Sequence, residues 1–293
     1  MPYSDAQLAL LGRWDLTIQL PVGEQPAWME IRQLGPKAVG GQFVGTHGSA
    51  RPIARVELSE RGLRFAIPPQ YERGDSDLTL EGQLDGDALG GTILLPDGST
   101  VSWTGRRAPS LRRAAPPTWG EPIALFNGVD LTGWHVIQGE SQWDVADGIM
   151  RNSKPGGNIV TDQKFGDFQL HLEFRYAPHG NSGVYLRGRY EVQVLDGPAT
   201  DEPDSHQQGG VYGFLTPSQI ITNGPGEWNT YDITLVGRQV TIALNGIVVI
   251  SQQAIPGITG GALDSDEGAP GPLMLQGDHT AVEYRNIVLT PAV

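Results

Sequence analysis

Phe168-Gln-Leu-His-Leu-Glu-Phe-Arg175 alternates without interruption. Phe168, Leu170, Leu172 and Phe174 fall on one side of an extended chain, and Gln169, His171, Glu173 and Arg175 on the other, because successive side chains of a strand point to opposite faces. Long strands with one apolar and one polar face build a two-sheet sandwich. Outward from this stretch the pattern persists. Val240–Leu244 and Ile247–Ile250 flank Asn245-Gly246, and Asp147-Gly148 and Asn127-Gly128 also read as hairpin turns. Helix-period segments are nearly absent. Two long loops, 197–208 (acidic) and 256–272 (rich in Gly and Asp), stand out as carriers of function.

The 293 residues suggest two domains. Pro, small residues and charge cluster over 108–120, and a cut at Ala115 separates residues 1–115 from 116–293. The first part opens with a short helical or irregular lead, Asp5–Leu11. Strands are then expected at Arg13–Leu20, Ala27–Leu34, Val39–Thr46, Ile53–Leu58, Leu63–Ile67, Leu78–Leu84, Ala88–Leu95 and Thr100–Arg106. That count suits a small antiparallel β-barrel or curled sheet. Gly12-Arg13-Trp14 at its start and Arg106 at its end resemble a calycin-type barrel over residues 1–110, in which an Arg packs over a Trp; a plain core Trp fits those residues equally.

The 40 Gly and 22 Pro show no period, which excludes collagen, and zero Cys excludes disulfides, thiolate metal sites and a cysteine nucleophile. No apolar run is long enough to span a membrane. The start, Met1-Pro-Tyr-Ser-Asp-Ala-Gln, has neither a basic nor an apolar leader region. The expectation is a cytoplasmic protein as numbered, or a periplasmic one if a signal was removed. The net charge of −13 sits almost wholly in residues 121–293, which argues against nucleic acid and anionic membranes as partners and leaves neutral sugars open.

The densest polar stretch is Asn181-Ser-Gly-Val-Tyr-Leu-Arg-Gly-Arg-Tyr-Glu-Val-Gln-Val-Leu-Asp196. Read as a hairpin with loop Gly188–Tyr190, it sets Arg187 opposite Glu191 and Tyr185 opposite Gln193. Every aliphatic side chain then turns inward. Strict alternation sends Asp196 into the core, where an unpaired carboxylate is costly. A β-bulge at Val194-Leu195 would return it to the polar face beside Gln193. The resulting Glu-x-Gln-x-x-Asp has the geometry of the Glu-x-Asp-x-x-Glu strand of laminarinase-type β-glucanases, with an amide in the middle. A solvated strand face with an Arg187–Glu191 ion pair fits the same spacing.

Further residues are similar to one family in chain order: Leu125-Phe-Asn-Gly-Val-Asp-Leu-Thr-Gly-Trp134, Trp143-Asp-Val-Ala-Asp-Gly148, Phe168–Arg175, Asn181-Ser-Gly183 with Arg187, Glu191–Asp196, Gly226-Glu-Trp-Asn-Thr-Tyr231, Leu244-Asn-Gly246, Gly271-Pro-Leu-Met-Leu-Gln276, His279 and Tyr284-Arg-Asn-Ile287. Together they resemble the 3-keto-disaccharide hydrolase family over about 120–293. The family's Gln-Asp-His stands here as Gln276-Gly-Asp-His279, with one residue inserted. The resemblance implies an all-β chain whose second part is a concanavalin- or laminarinase-like jelly-roll sandwich. It also implies action on glycosides whose C3 hydroxyl has been oxidised to a ketone.

A C3 ketone acidifies the C2 hydrogen. A base removes it, and the enolate expels the C1 substituent; water can add later. That route needs one base, a stabiliser for the enolate oxygen and a proton donor. The candidates are Glu191 as base or acid, with Asp196 or His279 as second proton carrier. Arg187 and Asn181 would take the ketone or enolate oxygen, Glu173, Gln193 and Gln276 the sugar hydroxyls. Tyr212, Trp134, Trp143 and Trp228 could stack on a ring, although core packing suits the first two tryptophans better. No cofactor is expected. A divalent ion held by Asp196, Asp201, Glu202, Asp204 and His206 is the less favoured reading of that loop. The chain lacks a Gly-rich phosphate loop, a nucleophile elbow and a dinucleotide fingerprint. A separate sugar 3-dehydrogenase would therefore supply the oxidised glycoside. The alternatives are a conventional glycoside hydrolase on the same fold and a lectin-like carbohydrate-binding module.

Overall fold

Alternating apolar residues and Gly-containing turns become strands over almost the whole chain in the computed structural model, which describes residues 3–197 and 202–293. The chain divides into two compact units. One comprises residues 1–110 with 257–267, and the other residues 111–256 with 268–293.

The first unit opens with a one-turn helix, α1 (Asp5–Leu8), capped reciprocally by Ser4 and Gln7. Nine strands follow: β1 (Gly12–Leu20), β2 (Gly23–Gly35), β3 (Ala38–Val44), β4 (Arg51–Ile53), β5 (Glu57–Leu58), β6 (Gly62–Ile67), β7 (Leu78–Asp85), β8 (Ala88–Leu94) and β9 (Thr100–Arg107). They form one antiparallel sheet in the order β4-β3-β2-β1-β9-β8-β7-β6-β5. The sheet curls around Trp14, Leu16, Met29, Phe43, Phe65, Leu80, Ile93 and Trp103. Close approach of strands demands glycine at Gly91, where a methyl would lie 2.0 Å from the Glu81 carbonyl oxygen. The stretch expected as one strand over Ile53–Leu58 is two short ones. The guanidinium stacked on Trp14 belongs to Arg107, not Arg106. The Arg107 guanidinium lies 3.8 Å from the ring centroid and also donates to the carbonyls of Ala9 and Leu11. Trp14 pairs across the ladder with Arg107, whereas Arg106 pairs with Asp15 and reaches Asp266 at 2.9 Å.

The second unit holds β10 (Ile123–Ala124), β11 (Trp134–Ile137), β12 (Trp143–Ala146), β13 (Ile149–Asn152), β14 (Asn158–Phe165), β15 (Phe168–Tyr176), β16 (Asn181–Leu186) and β17 (Tyr190–Leu195). After them come β18 (Asn229–Val236), β19 (Gln239–Leu244), β20 (Ile247–Ala254), β21 (Gly271–Leu275) and β22 (Val282–Pro291). Eight of these make one antiparallel sheet, β12-β13-β22-β15-β18-β19-β20 with β10 beside β22. Five make the second, β11-β14-β21-β16-β17. The sheets form a jelly-roll sandwich. Phe168, Leu170, Leu172 and Phe174 of one and Val184, Leu186, Val192 and Val194 of the other are fully buried. Hydrogen bonds between the sheets include Ser182 with the Tyr284 hydroxyl (2.9 Å) and the Tyr231 hydroxyl to the Gln193 carbonyl (2.5 Å). Asp147-Gly148 and Asn245-Gly246 make the expected hairpins, with positive φ at both residues. Asn127-Gly128 does not. The Asn127 side chain accepts from the backbone of Val129 and Asp130, closing a local loop between strands that pair elsewhere. Among the described residues no helix is long and apolar enough to cross a membrane.

Arg107→Ala should cost about 1 kcal/mol or more, through the lost ring stacking and two carbonyl contacts. Arg106→Ala removes an exposed ion pair and a long 3.4 Å bond to the Ser265 carbonyl, and should cost about half that or less. Thermal or urea unfolding of the two variants checks the order.

Candidate active site

The face of the five-stranded sheet that turns away from the sandwich core carries the polar cluster. Register fixes its rows. Tyr185 is opposite Glu191, Gly183 opposite Gln193 and Asn181 opposite Leu195. Beyond β17, residues 209–212 run alongside: Tyr212 donates to the Glu191 carbonyl (3.0 Å) and Gln193 to the Gly210 carbonyl (3.0 Å). On the other side, Met274 pairs with Tyr185, and the Gln276 N–H bonds the Gly183 carbonyl (2.9 Å). One row therefore reads Met274, Tyr185, Glu191, Tyr212, and the next Gln276, Gly183, Gln193, Gly210.

This hairpin is offset by two residues from the sequence expectation. The turn is Arg187-Gly188-Arg189, with positive φ at Arg187 and Gly188. A shift of two preserves which side chains face inward, so the apolar pattern fits both registers. The observed one pairs Tyr190 with Leu186 and buries both completely. Arg187 is accordingly not across from Glu191. Its guanidinium donates to the Tyr190 hydroxyl (3.0 Å) and the Gly237 carbonyl (2.8 Å), bracing the turn.

The bulge at Val194-Leu195 is absent too, since pairing is regular to Leu195 and continues with Asp196 N–H on the Gly180 carbonyl (2.8 Å). Leu195, not Asp196, shares the side of Glu191 and Gln193. The Asp196 carboxylate, half-buried, accepts the His179 N–H at 2.7 Å, so a backbone donor of the preceding turn meets its burial cost. Glu173 lies on the outward face of the other sheet, held by Arg285 (2.6 Å) and Asn286 (2.6 Å). The same face carries Trp228 beneath Arg285, 3.9 Å from its ring centroid. Trp134 and Trp143 are buried, their indole N–H groups on the carbonyls of Leu125 and Gly157. His206 bonds Asp204 and sets its ring edge-on to Tyr212, 5.1 Å between centroids. Among the described residues no three His, Asp or Glu side chains are grouped to share an ion; Asp201 lies outside those residues.

The structure thus brings Glu191, Gln193, Tyr212, Gln276 and Asn181 onto one face and sets His279 within electrostatic reach of Glu191, while Arg187, Asp196 and Glu173 point elsewhere. It adds Tyr185 and Asp278. Alternation had already put Tyr185 on this face, and Asp278 is the chain neighbour of His279.

Glu191 is only 4 % exposed. Burial pushes its carboxyl up to about 8, against the Tyr185 hydroxyl, which donates to Oε2 at 2.9 Å, and the nearby His279 imidazole; Asp278 adds to the rise. His279 is raised as well, chiefly by the Asp278 carboxylate 2.6 Å from Nδ1. The side-chain oxygens of Gln193 and Gln276, both buried, take no hydrogen bond from the described protein residues. Acceptors left open beside a buried carboxylate suit the hydroxyl donors of a sugar.

Similarity to known proteins makes this chain a carbohydrate-processing enzyme. Residues 121–290 match the 3-keto-alpha-glucoside-1,2-lyase-like domain, and the chain belongs to that family. A 3-keto-disaccharide hydrolase from Bacteroides thetaiotaomicron is 28% identical over 94 residues, which are 28% of this chain and 32% of that protein. A solved structure from Parabacteroides distasonis, provisionally named a glycosyl hydrolase, is 33% identical with a TM-score of 0.49, over 61% of this chain and 92% of that one. A Bacillus licheniformis β-glucanase is 14% identical with a TM-score of 0.40, over 62% of this chain and all of that one (100%).

Glu191 holds its proton more tightly in the folded than in the unfolded chain. Its stabilising contribution is therefore full below pH 4.5 and lost as pH rises through about 8. Glu191→Gln should melt higher than the native protein, with a small gap at pH 5 that widens toward pH 9. A gap independent of pH would show that Glu191 is not the desolvated group.

Proposed function

We propose that this chain cleaves glycosidic bonds of sugars oxidised at C3, by C2 deprotonation and β-elimination of the C1 substituent, with or without later hydration. The observation that supports this most is the buried carboxylate on the polar face of the five-stranded sheet, Glu191, whose neighbour two residues on is an amide. A conventional glycosidase needs two carboxyl groups across the bond, and Asp196 faces the other way. An elimination needs one base of raised proton affinity.

In this reading Glu191 takes the C2 hydrogen. The electron pair of that bond delocalises into the ketone as an enolate. The enolate re-forms the ketone, makes the C1–C2 double bond and expels the C1 oxygen, which receives a proton from His279. Asn181 donates to the ketone oxygen, and Gln193 and Gln276 accept sugar hydroxyls. Tyr212 flanks the ring. The oxidised substrate comes from a separate sugar 3-dehydrogenase.

A matched glycoside and 3-keto-glycoside pair tests the substrate. Release of the C1 substituent is expected from the ketone alone; comparable release from the unoxidised sugar would overturn the reading. Glu191→Gln should lower turnover at least ~10²-fold with the fold intact. Because the free base is the deprotonated carboxylate, kcat/KM should rise with pH to a limb near 8. A C2-deuterated substrate should react more slowly where proton removal limits the rate. Early product with its C2 hydrogen fully retained would exclude elimination.

A further inference from the structure

Glu191 does not stand upright in its row. A methyl placed on Gly183 would lie 2.4 Å from Glu191 Oε1 and 2.8 Å from Cγ. The carboxylate therefore leans out of the Tyr185–Tyr212 row and over Gly183, into the row of Gln193 and Gln276. Its other oxygen, Oε2, receives the Tyr185 hydroxyl at 2.9 Å. The two oxygens have different surroundings, one bound by a phenol and one above a glycine between two amides whose oxygens take no bond from the described residues.

We propose that Tyr185 and Gly183 are positioning residues for the reaction proposed above: Tyr185 holds Oε2, and the bare backbone of Gly183 lets Oε1 reach between Gln193 and Gln276, where the C2 hydrogen of the sugar is presented. This rests on the elimination reading for its substrate, but its geometry concerns Glu191 alone. The charge balance follows. The Tyr185 hydrogen bond favours the ionised carboxylate, so it opposes the desolvation that raises Glu191. The other groups acting on Glu191 are His279 and Asp278, from the loop after β21; Tyr212 lies across on the far side of β17, and Tyr284 is in electrostatic reach from the second sheet. At position 183 the clash falls on the Glu191 side chain from Cγ to Oε1 rather than on backbone. A methyl there should displace the carboxylate and spare the fold.

The test uses the full chain labelled with ¹³C at the Glu side-chain carboxyl, with the Glu191 signal assigned by its loss in Glu191→Gln. In Tyr185→Phe the Glu191 titration should move to higher pH, with the alkaline-rising limb of kcat/KM moving the same way and kcat at pH 7 falling about 10-fold or more. In Gly183→Ala the fold should survive by circular dichroism. kcat should drop by at least ~10-fold, and KM should change far less. An unmoved Glu191 titration in Tyr185→Phe, or full kcat in Gly183→Ala, would overturn the proposal. A titration that moves as expected in a protein without activity on any 3-keto-glycoside would support the positioning of Glu191 and overturn the substrate reading instead.

Discussion

A carboxylate denied water is the constraint around which the second unit is arranged. Glu191 lies beneath the surface of the five-stranded sheet, and burial alone would keep it neutral. The partners that temper this come from different parts of the chain. Tyr185 is supplied by the preceding strand, His279 and Asp278 by a loop some ninety residues on, and the Glu191 backbone carbonyl is fixed by Tyr212 from the segment that follows. Such a group is costly to hold and is held by the sandwich as a whole. Ser182 and Tyr231 tie the site strands to the opposite sheet on either side of it.

Much of this was legible in the chain because strand faces follow from a period of two. Glu191, Gln193 and Tyr185 were on one face under any register that buries Val184, Val192 and Val194. What parity cannot supply is the register itself. Two residues of slip leave every face unchanged, and the decision passed to Tyr190, whose ring gains more when paired with Leu186 than when left in a turn. Arg187 moved from site to turn with that single choice. Asp196 was misplaced for a related reason. The cost of an inward carboxylate was reckoned correctly, but a backbone N–H from His179 meets it as well as a bulge would, and no spacing in the sequence announces that donor.

Alternation also says which side of a strand is polar without saying which way that side faces in space. In a sandwich the two polar faces point in opposite directions. Glu173 and Glu191 each sit on an outward face, yet they belong to different sheets, and Glu173 is held in an ion pair with Arg285. Arg107 is the one-residue version of the same limit. Adjacent arginines at the end of β9 alternate, so only the partner strand decides which of them lies over Trp14. The turns divide along similar lines. Asn245-Gly246 closes a hairpin because alternating strands are ready on both sides, whereas Asn127-Gly128 has the same dipeptide and bonds its own backbone instead.

The amide at Gln193 has a physical role in the proposed chemistry that a carboxylate could not fill. Residues 191 and 193 share a face with Cα atoms about 6.5–7 Å apart. In a site this poor in water, two charges at that distance would repel strongly, and the pair would titrate together rather than as one tuned base. When Glu191 takes the C2 hydrogen it becomes neutral as the sugar becomes an enolate. The negative charge of the site moves by a few ångströms but does not grow. A carboxylate at 193 would raise that charge to two at the moment the enolate forms, and would oppose it. Glutamine keeps the hydrogen-bonding shape of an acid, with a buried acceptor oxygen that takes no hydrogen bond from the described residues, and adds no charge to the balance. The buried carboxylate and the amide beside it are thus two parts of one electrostatic requirement.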